Sequence, residues 1–139
     1  MNPRTFIATS LAPPASAPAA FAMGKNSLKY KTGMVAELLA QGKTVFIDYT
    51  TQWCTTCAAQ KRKIAALRGE NAAYNENITF VTVDYDEFGR KPITTDHNIP
   101  RRSTLIVLKG DAELGRIVAG TSTKDIKALM DTALNAATS

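Results

Sequence analysis

Two cysteines and one histidine among 139 residues are too few for a disulfide framework or for a four-ligand structural metal site. No apolar run approaches the ~20 residues that a membrane-spanning helix needs, so stable membrane insertion of the mature chain is not expected. Lys and Arg exceed Asp and Glu by 17 to 12, and the resulting net charge of +5 is scattered rather than gathered into a basic stripe. With aromatics at only 7%, nothing resembles the footprint of a nucleic-acid binder. Internal repeats and a phosphate-cradling glycine loop are also missing. What is present is 45% apolar and 21% charged residues, the balance of one globular domain, long enough to bury roughly two-thirds of its unfolded surface.

Residues 1–22 carry a single charge, Arg4, followed by an apolar stretch over 6–12 and an Ala/Pro/Ser segment ending Ala20-Phe21-Ala22. This is the order of a secretory signal peptide, and it predicts an exported, periplasmic-type location with the folded domain spanning 23–139. Arg4 follows Pro3 where a twin-arginine signal would place its first arginine. Export would put both thiols in an oxidising compartment.

From there the pattern alternates. Residues 26–41 place Met34, Val35, Leu38 and Leu39 at helical spacing, with Gly42 closing the helix. Residues 44–49 are β-branched, aromatic and almost wholly apolar, as in a strand covered on both faces. Trp53-Cys54-Thr55-Thr56-Cys57 then leads into a helix over 58–67, with Lys61, Arg62 and Lys63 marking an exposed side. A strand over 78–83, a loop over 84–88 and a short helix from Pro92 to Asn98 follow. Strands over 104–108 and 114–118 flank a turn at 109–112, which implies an antiparallel hairpin. Thr121 or Ser122 caps a last helix with Ile126, Leu129, Met130 and Leu134 in one stripe.

This order, with a CxxC between the first strand and the next helix, Trp53 before it and Asp48 six residues upstream, resembles the thioredoxin superfamily. The resemblance covers roughly residues 34–137, and among family branches the chain is most similar to the small exported or membrane-tethered reductase domains. It implies an α/β fold with a central mixed sheet flanked by helices on both faces, and thiol–disulfide oxidoreductase activity. No cofactor is implied, because the two sulfurs carry the electrons themselves. The implied partners are protein disulfide substrates and a second redox protein, and the chain is expected to be a monomer.

At a helix N-terminus the unpaired N–H groups favour a thiolate, so Cys54 is expected to attack a disulfide and Cys57, one turn further in, to resolve the mixed disulfide. A permanently closed disulfide that only ties one turn is the bland alternative. Asp48 matches the family's acid buried behind the resolving cysteine, where burial raises its pKa and lets it take a proton through water. Its other reading is a solvent-facing or loop-capping side chain. A lysine that commonly accompanies this acid from the adjacent strand is replaced here by Thr82. Trp53 reads as a flat wall of the substrate groove or as packing. Thr55 and Thr56 offer no positive charge to the thiolate, which leans the pair toward a reducing potential rather than a disulfide-donating one.

The departure from the family lies before the strand at Thr104, where a cis-proline is usual and Ser103 stands instead. A cis bond before a residue other than proline costs about 2.5–4 kcal/mol, so a trans peptide in a rearranged loop is expected. Arg102 takes the place whose backbone would pair with an extended substrate, with Arg101 beside it. The arginines either lower the Cys54 pKa and attract an acidic partner or are two solvated loop residues. Without the proline ring a soft metal ion could approach the two sulfurs, and a metal-delivery module is the second functional class. His97 reads as a helix-end residue, and the acids Asp84, Asp86 and Glu87 as a solvated loop.

Overall fold

The computed structural model describes residues 27–139, so the expected signal peptide over 1–22 and the domain's start at 23 lie outside the described residues. Strands β1 (Leu28–Lys29), β2 (Thr44–Thr50), β3 (Ile78–Asp84), β4 (Thr104–Lys109) and β5 (Ala112–Val118) form one sheet in the order β1-β3-β2-β4-β5. β3 runs parallel to both β1 and β2, whereas β2–β4 and β4–β5 are antiparallel. The sheet is therefore mixed, as expected from the hairpin, whose register shifts once between Val107 and Leu108.

β2 is buried along its whole length, and its alternation sorts the core into two layers. Val45, Ile47 and Tyr49 pack with Ile106 and Leu108 of β4 against Met34, Val35 and Leu38 of α1 (Met34–Ala40), with Ile93 of α5 (Pro92–Thr95) in the same layer. Phe46, Leu105 and Val107 pack on the opposite face against α2 (Thr55–Glu70), α3 (Ala72–Asn77) and α6 (Thr123–Thr138) through Ile64, Leu67, Tyr74, Ile126 and Met130. Burial of each such large apolar side chain contributes roughly 1.5–3 kcal/mol. Asp48 has the parity of Phe46, so the strand that buries it also aims it beneath α2.

Several boundaries differ from expectation. The helix predicted over 26–41 is divided: Leu28 and Lys29 pair with Val81 and Thr82, and α1 begins only after Gly33, whose φ of 86° breaks the helical path. Apolar spacing does not distinguish such a two-residue edge strand from a first helical turn. α2 starts three residues earlier than predicted because Cys54 is its N-cap, and the unforeseen α3 follows Asn71, whose side chain accepts the Ala73 N–H at 3.0 Å. The predicted loop over 84–88 contains a helical turn, α4 (Tyr85–Phe88), capped by Asp84. α5 stops at Thr95, short of the predicted Asn98, which itself adopts φ 53°. Ser122 caps α6 by accepting from the Asp125 N–H. At the bend before it, Ala119 takes the positive φ of 64°, and Gly120 instead provides a close approach to Ile117 that a Cβ would violate at 2.9 Å.

Candidate active site

Cys54 caps α2 with φ −89° and ψ 114°, and its Sγ accepts the Cys57 N–H at 3.1 Å. A sulfur in the N-cap position thus receives one of the donors that the first helical turn leaves unpaired. Both thiols are free. Cys54 retains 6% exposure and Cys57 none, so Cys54 is the one a substrate sulfur meets first. Burial works to raise the Cys54 pKa, but hydrogen bonds from the Cys57 and Ser103 side chains, the Cys57 N–H and Arg102 outweigh it and bring the thiol from 9.0 to about 7. Half of such a thiol is thiolate at neutral pH.

Facing the sulfurs is Ser103, fully buried at the start of β4. Its Oγ lies 3.1 Å from Cys54 Sγ and 3.0 Å from Cys57 Sγ. No peptide bond among the described residues is cis, as expected for this loop, and the chain passes through Ser103 with φ 64°. Its N–H donates to the Tyr49 carbonyl at 2.7 Å, and its own carbonyl accepts from the Ala119 N–H at 2.8 Å and from Gln60 Nε2 at 3.0 Å. A proline, with φ near −65° and no N–H, fits neither the φ nor the bond to Tyr49. The serine and the rearranged loop belong together.

Trp53 is 61% exposed, so its ring does not pack in the core. The indole is nonetheless held from two sides, its Nε1 donating to Asp86 Oδ2 at 2.9 Å and the Arg102 guanidinium lying 4.3 Å over its ring. The acidic loop expected to be merely solvated thus anchors the indole. The two arginines separate: Arg101 donates to the Arg102 carbonyl and its own carbonyl accepts from Thr104 Oγ1, so it braces the loop, whereas Arg102 lies over Trp53 and helps to lower the Cys54 pKa. Thr55 is exposed and Thr56 half-buried on the first turn of α2, flanking the sulfurs without a side-chain cap bond. His97 binds the Ile93 carbonyl through Nδ1 at 3.0 Å, away from the sulfurs and at a helix end, as expected.

Asp48 is buried beneath α2 and paired in register with Thr82 of β3, the position where the family's lysine is missing. The cation comes instead from α2: Lys61 Nζ donates to Asp48 Oδ2 at 3.1 Å, while Oδ1 has no hydrogen-bond partner among the described residues. Burial raises the Asp48 pKa above 3.8, and the Lys61 charge and hydrogen bond restrain that rise. An open pocket of about 590 Å³ lined by Asp48, Lys61, Arg68, Asn75 and Thr82 gives water a path to the carboxyl.

Sequence reasoning missed Lys61 and Gln60. Lys61 belongs to the run that marks the exposed side of α2, and its side chain is 44% exposed, but it lies one turn beyond Cys57 and reaches inward over Asp48. Gln60 donates Nε2 to both the Ser103 and Gly120 carbonyls, clasping the two loops opposite the sulfurs. The signal for Gln60 was its place in the stripe Cys57, Gln60, Ile64, Leu67, a buried helical face with one polar member.

A mixed sheet with helices on both faces, and a cysteine pair at the N-terminus of the helix after its central strand, define a thioredoxin-fold dithiol protein. The thioredoxin family model matches residues 28–132, and the chain belongs to that family. It is 32% identical over 84 residues to "Thioredoxin H5" of Oryza sativa subsp. japonica, covering 60% of this chain and 58% of that one. It is 29% identical to the thioredoxin of Echinococcus granulosus, covering 66% and 80%. The chain therefore spans little more than half the length of the rice relative. In fold it is similar to Trxlp from Edwardsiella tarda, with a TM-score of 0.63, 24% identity and coverage of 74% and 98%. It is likewise similar to the Malassezia sympodialis thioredoxin, with a TM-score of 0.67, 18% identity and coverage of 78% and 91%.

Proposed function

We propose that this chain is a thiol–disulfide oxidoreductase that reduces disulfides of exported proteins. The observation that carries the reading is the Cys54 sulfur at the N-terminus of α2, accepting the Cys57 N–H at 3.1 Å with its pKa lowered to about 7. A thiolate populated at neutral pH is the attacking species in disulfide exchange. Cys54 displaces one substrate thiolate and forms a mixed disulfide. Cys57 then gives up its proton and attacks Cys54 Sγ, and the electron pair of the broken bond leaves on the second substrate sulfur. Substrate gains two electrons and two protons, and the chain ends as the Cys54–Cys57 disulfide, which another dithiol protein must reduce. Asp48 with its pocket serves as the proton's route, and Trp53, Thr55, Thr56 and Arg102 frame the groove. The wording of residues 1–22 supports export.

The test is the reduction potential of the pair, equilibrated against a thiol buffer series and read by alkylation and mass, with Cys54→Ser as control. A value of roughly −270 to −200 mV is expected for a reductant, and one near −120 mV would make the protein a disulfide donor. A pair that will not cycle, or freshly reduced protein carrying stoichiometric metal lost in Cys54→Ser, overturns the reading in favour of a metal-binding module. Export is checked by N-terminal sequencing of the exported protein, expected to begin at Met23; retention of Met1 there refutes cleavage.

A further inference from the structure

Ser103 Oγ lies between the two sulfurs, 3.1 Å from Cys54 and 3.0 Å from Cys57, and is fully buried with no third side-chain partner among the described residues. A hydroxyl has one proton to donate and lone pairs with which to accept. In the dithiol with Cys54 ionised, the Ser103 O–H points to the Cys54 thiolate while Cys57 Sγ lies 3.0 Å from the same oxygen. Once Cys54 is in the mixed disulfide its sulfur is uncharged and a weak acceptor. The negative charge then develops on Cys57, and rotation about the Cβ–Oγ bond alone turns the same proton to it.

We propose that Ser103 is a catalytic residue whose hydroxyl donates a hydrogen bond to the attacking Cys54 thiolate and then to the resolving Cys57 thiolate, one donor serving both half-reactions in turn. Hydrogen bonds to an ionised partner are about twice as strong as neutral ones, so the hydroxyl follows the charge. No proton is created or lost at Ser103. It keeps its own throughout, and the proton released by Cys57 ends on the departing substrate sulfur. The backbone is built to hold this position: three hydrogen bonds, from Ser103 N–H to Tyr49 and to the Ser103 carbonyl from Ala119 and Gln60, fix a residue at φ 64°. Such a φ is uncommon for a residue other than glycine.

The inference deepens the oxidoreductase reading and rests on it for its second half only. Two variants remove the hydroxyl but differ in their backbone effect: Ser103→Gly relaxes the positive φ, whereas Ser103→Ala keeps its cost. Cys54 alkylation by iodoacetamide across pH measures thiolate formation without any exchange reaction. In both variants the Cys54 midpoint should rise by about one unit, cutting the alkylation rate at pH 6 about tenfold. A single turnover with an aromatic nitrobenzoate disulfide then shows attack and resolution as two releases of coloured thiolate. Both phases should slow several-fold, and the second should stay slow at a pH where Cys54 is fully ionised. Unchanged midpoints, a second phase at the wild-type rate, or opposite shifts in the two variants would overturn the proposal. Failure of wild-type protein to turn over would instead strike the oxidoreductase reading, leaving the alkylation result to speak for Ser103.

Discussion

Lys61 reaches across one turn of α2 to place Nζ 3.1 Å from Asp48 Oδ2, so the buried acid of the central strand is half-partnered from the helix above it. The other carboxylate oxygen is left without a partner among the described residues, and burial dominates, raising the Asp48 pKa. A carboxyl that binds its proton more tightly in the native state than in the unfolded chain favours folding at low pH. That contribution is full below the ordinary value of 3.8 and is lost as pH rises through the native value. Asp48→Asn is therefore expected to stabilise the protein at pH 7 by about 1–3 kcal/mol, the scale of a buried polar group lacking a partner. The gain should shrink as pH falls toward 3.8. Urea unfolding at pH 7 and pH 4 checks it, and a gain independent of pH would refute it. Lys61→Met should act oppositely, costing up to about 1 kcal/mol at pH 7, because the side chain is half-exposed and solvent screens the pair.

Cys54 supplies a second pH dependence, of the opposite physical origin. Hydrogen bonds from the Cys57 N–H and the Ser103 hydroxyl, with the Cys57 side chain and Arg102 acting in the same sense, outweigh burial and lower the Cys54 pKa to about 7. Alkylation of Cys54 should rise about tenfold per pH unit below that midpoint and level off above pH 8. Cys57→Ser replaces a sulfur contact that lowers the Cys54 pKa and should move the midpoint upward. A midpoint near 9 in wild-type protein would mean that these hydrogen bonds are not formed in solution.

Much of this arrangement was legible in the sequence. The run from Val45 to Tyr49 could only be a covered strand, the pair Cys54/Cys57 announced a helix N-terminus, and the hairpin and final helix were set by turn residues and a clear stripe. The family resemblance implied a buried Asp48, while the residues alone also left a solvent-facing side chain open. Illegible were features made by contacts remote in sequence: β1, two residues long and defined only by pairing with β3, and Lys61, whose partner is 13 positions away on another element. The same holds for Ser103, where sequence showed a missing proline but no local pattern announced a hydroxyl placed between two sulfurs.

Gln60 tests how the loops opposite the sulfurs are held. Its side chain is wholly buried and its Nε2 bridges the carbonyls of Ser103 and Gly120. In Gln60→Leu the Ser103 carbonyl keeps Ala119, while Gly120 loses the bond that Gln60 made. A loss of about 1–3 kcal/mol in urea unfolding is expected. Hydrogen exchange should show the change confined to residues around Ser103 and Gly120, and a uniform rise across the sheet would contradict the clasp.

Arg102 acts at the rim, and two effects of removing it can be separated. Its guanidinium lies 4.3 Å over the exposed Trp53 ring and also contributes to lowering the Cys54 pKa. Arg102→Ala should therefore slow reaction with every disulfide below pH 7, simply because less thiolate is present. At pH 9 Cys54 is ionised with or without Arg102, and only the charge at the rim differs. There, reaction with a disulfide peptide flanked by Glu should remain several-fold slower in the variant, while a neutral peptide should recover the wild-type rate. Raising salt should reduce the difference, since a partly exposed charge steers its partner within a Debye length of about 10 Å at 0.1 M. Stability should change by less than about 1 kcal/mol, as for an exposed cation–π contact, while Trp53 fluorescence shifts as its face is uncovered. Equal losses with acidic and neutral peptides at pH 9 would show that Arg102 works on the thiol alone and does not select substrates by charge.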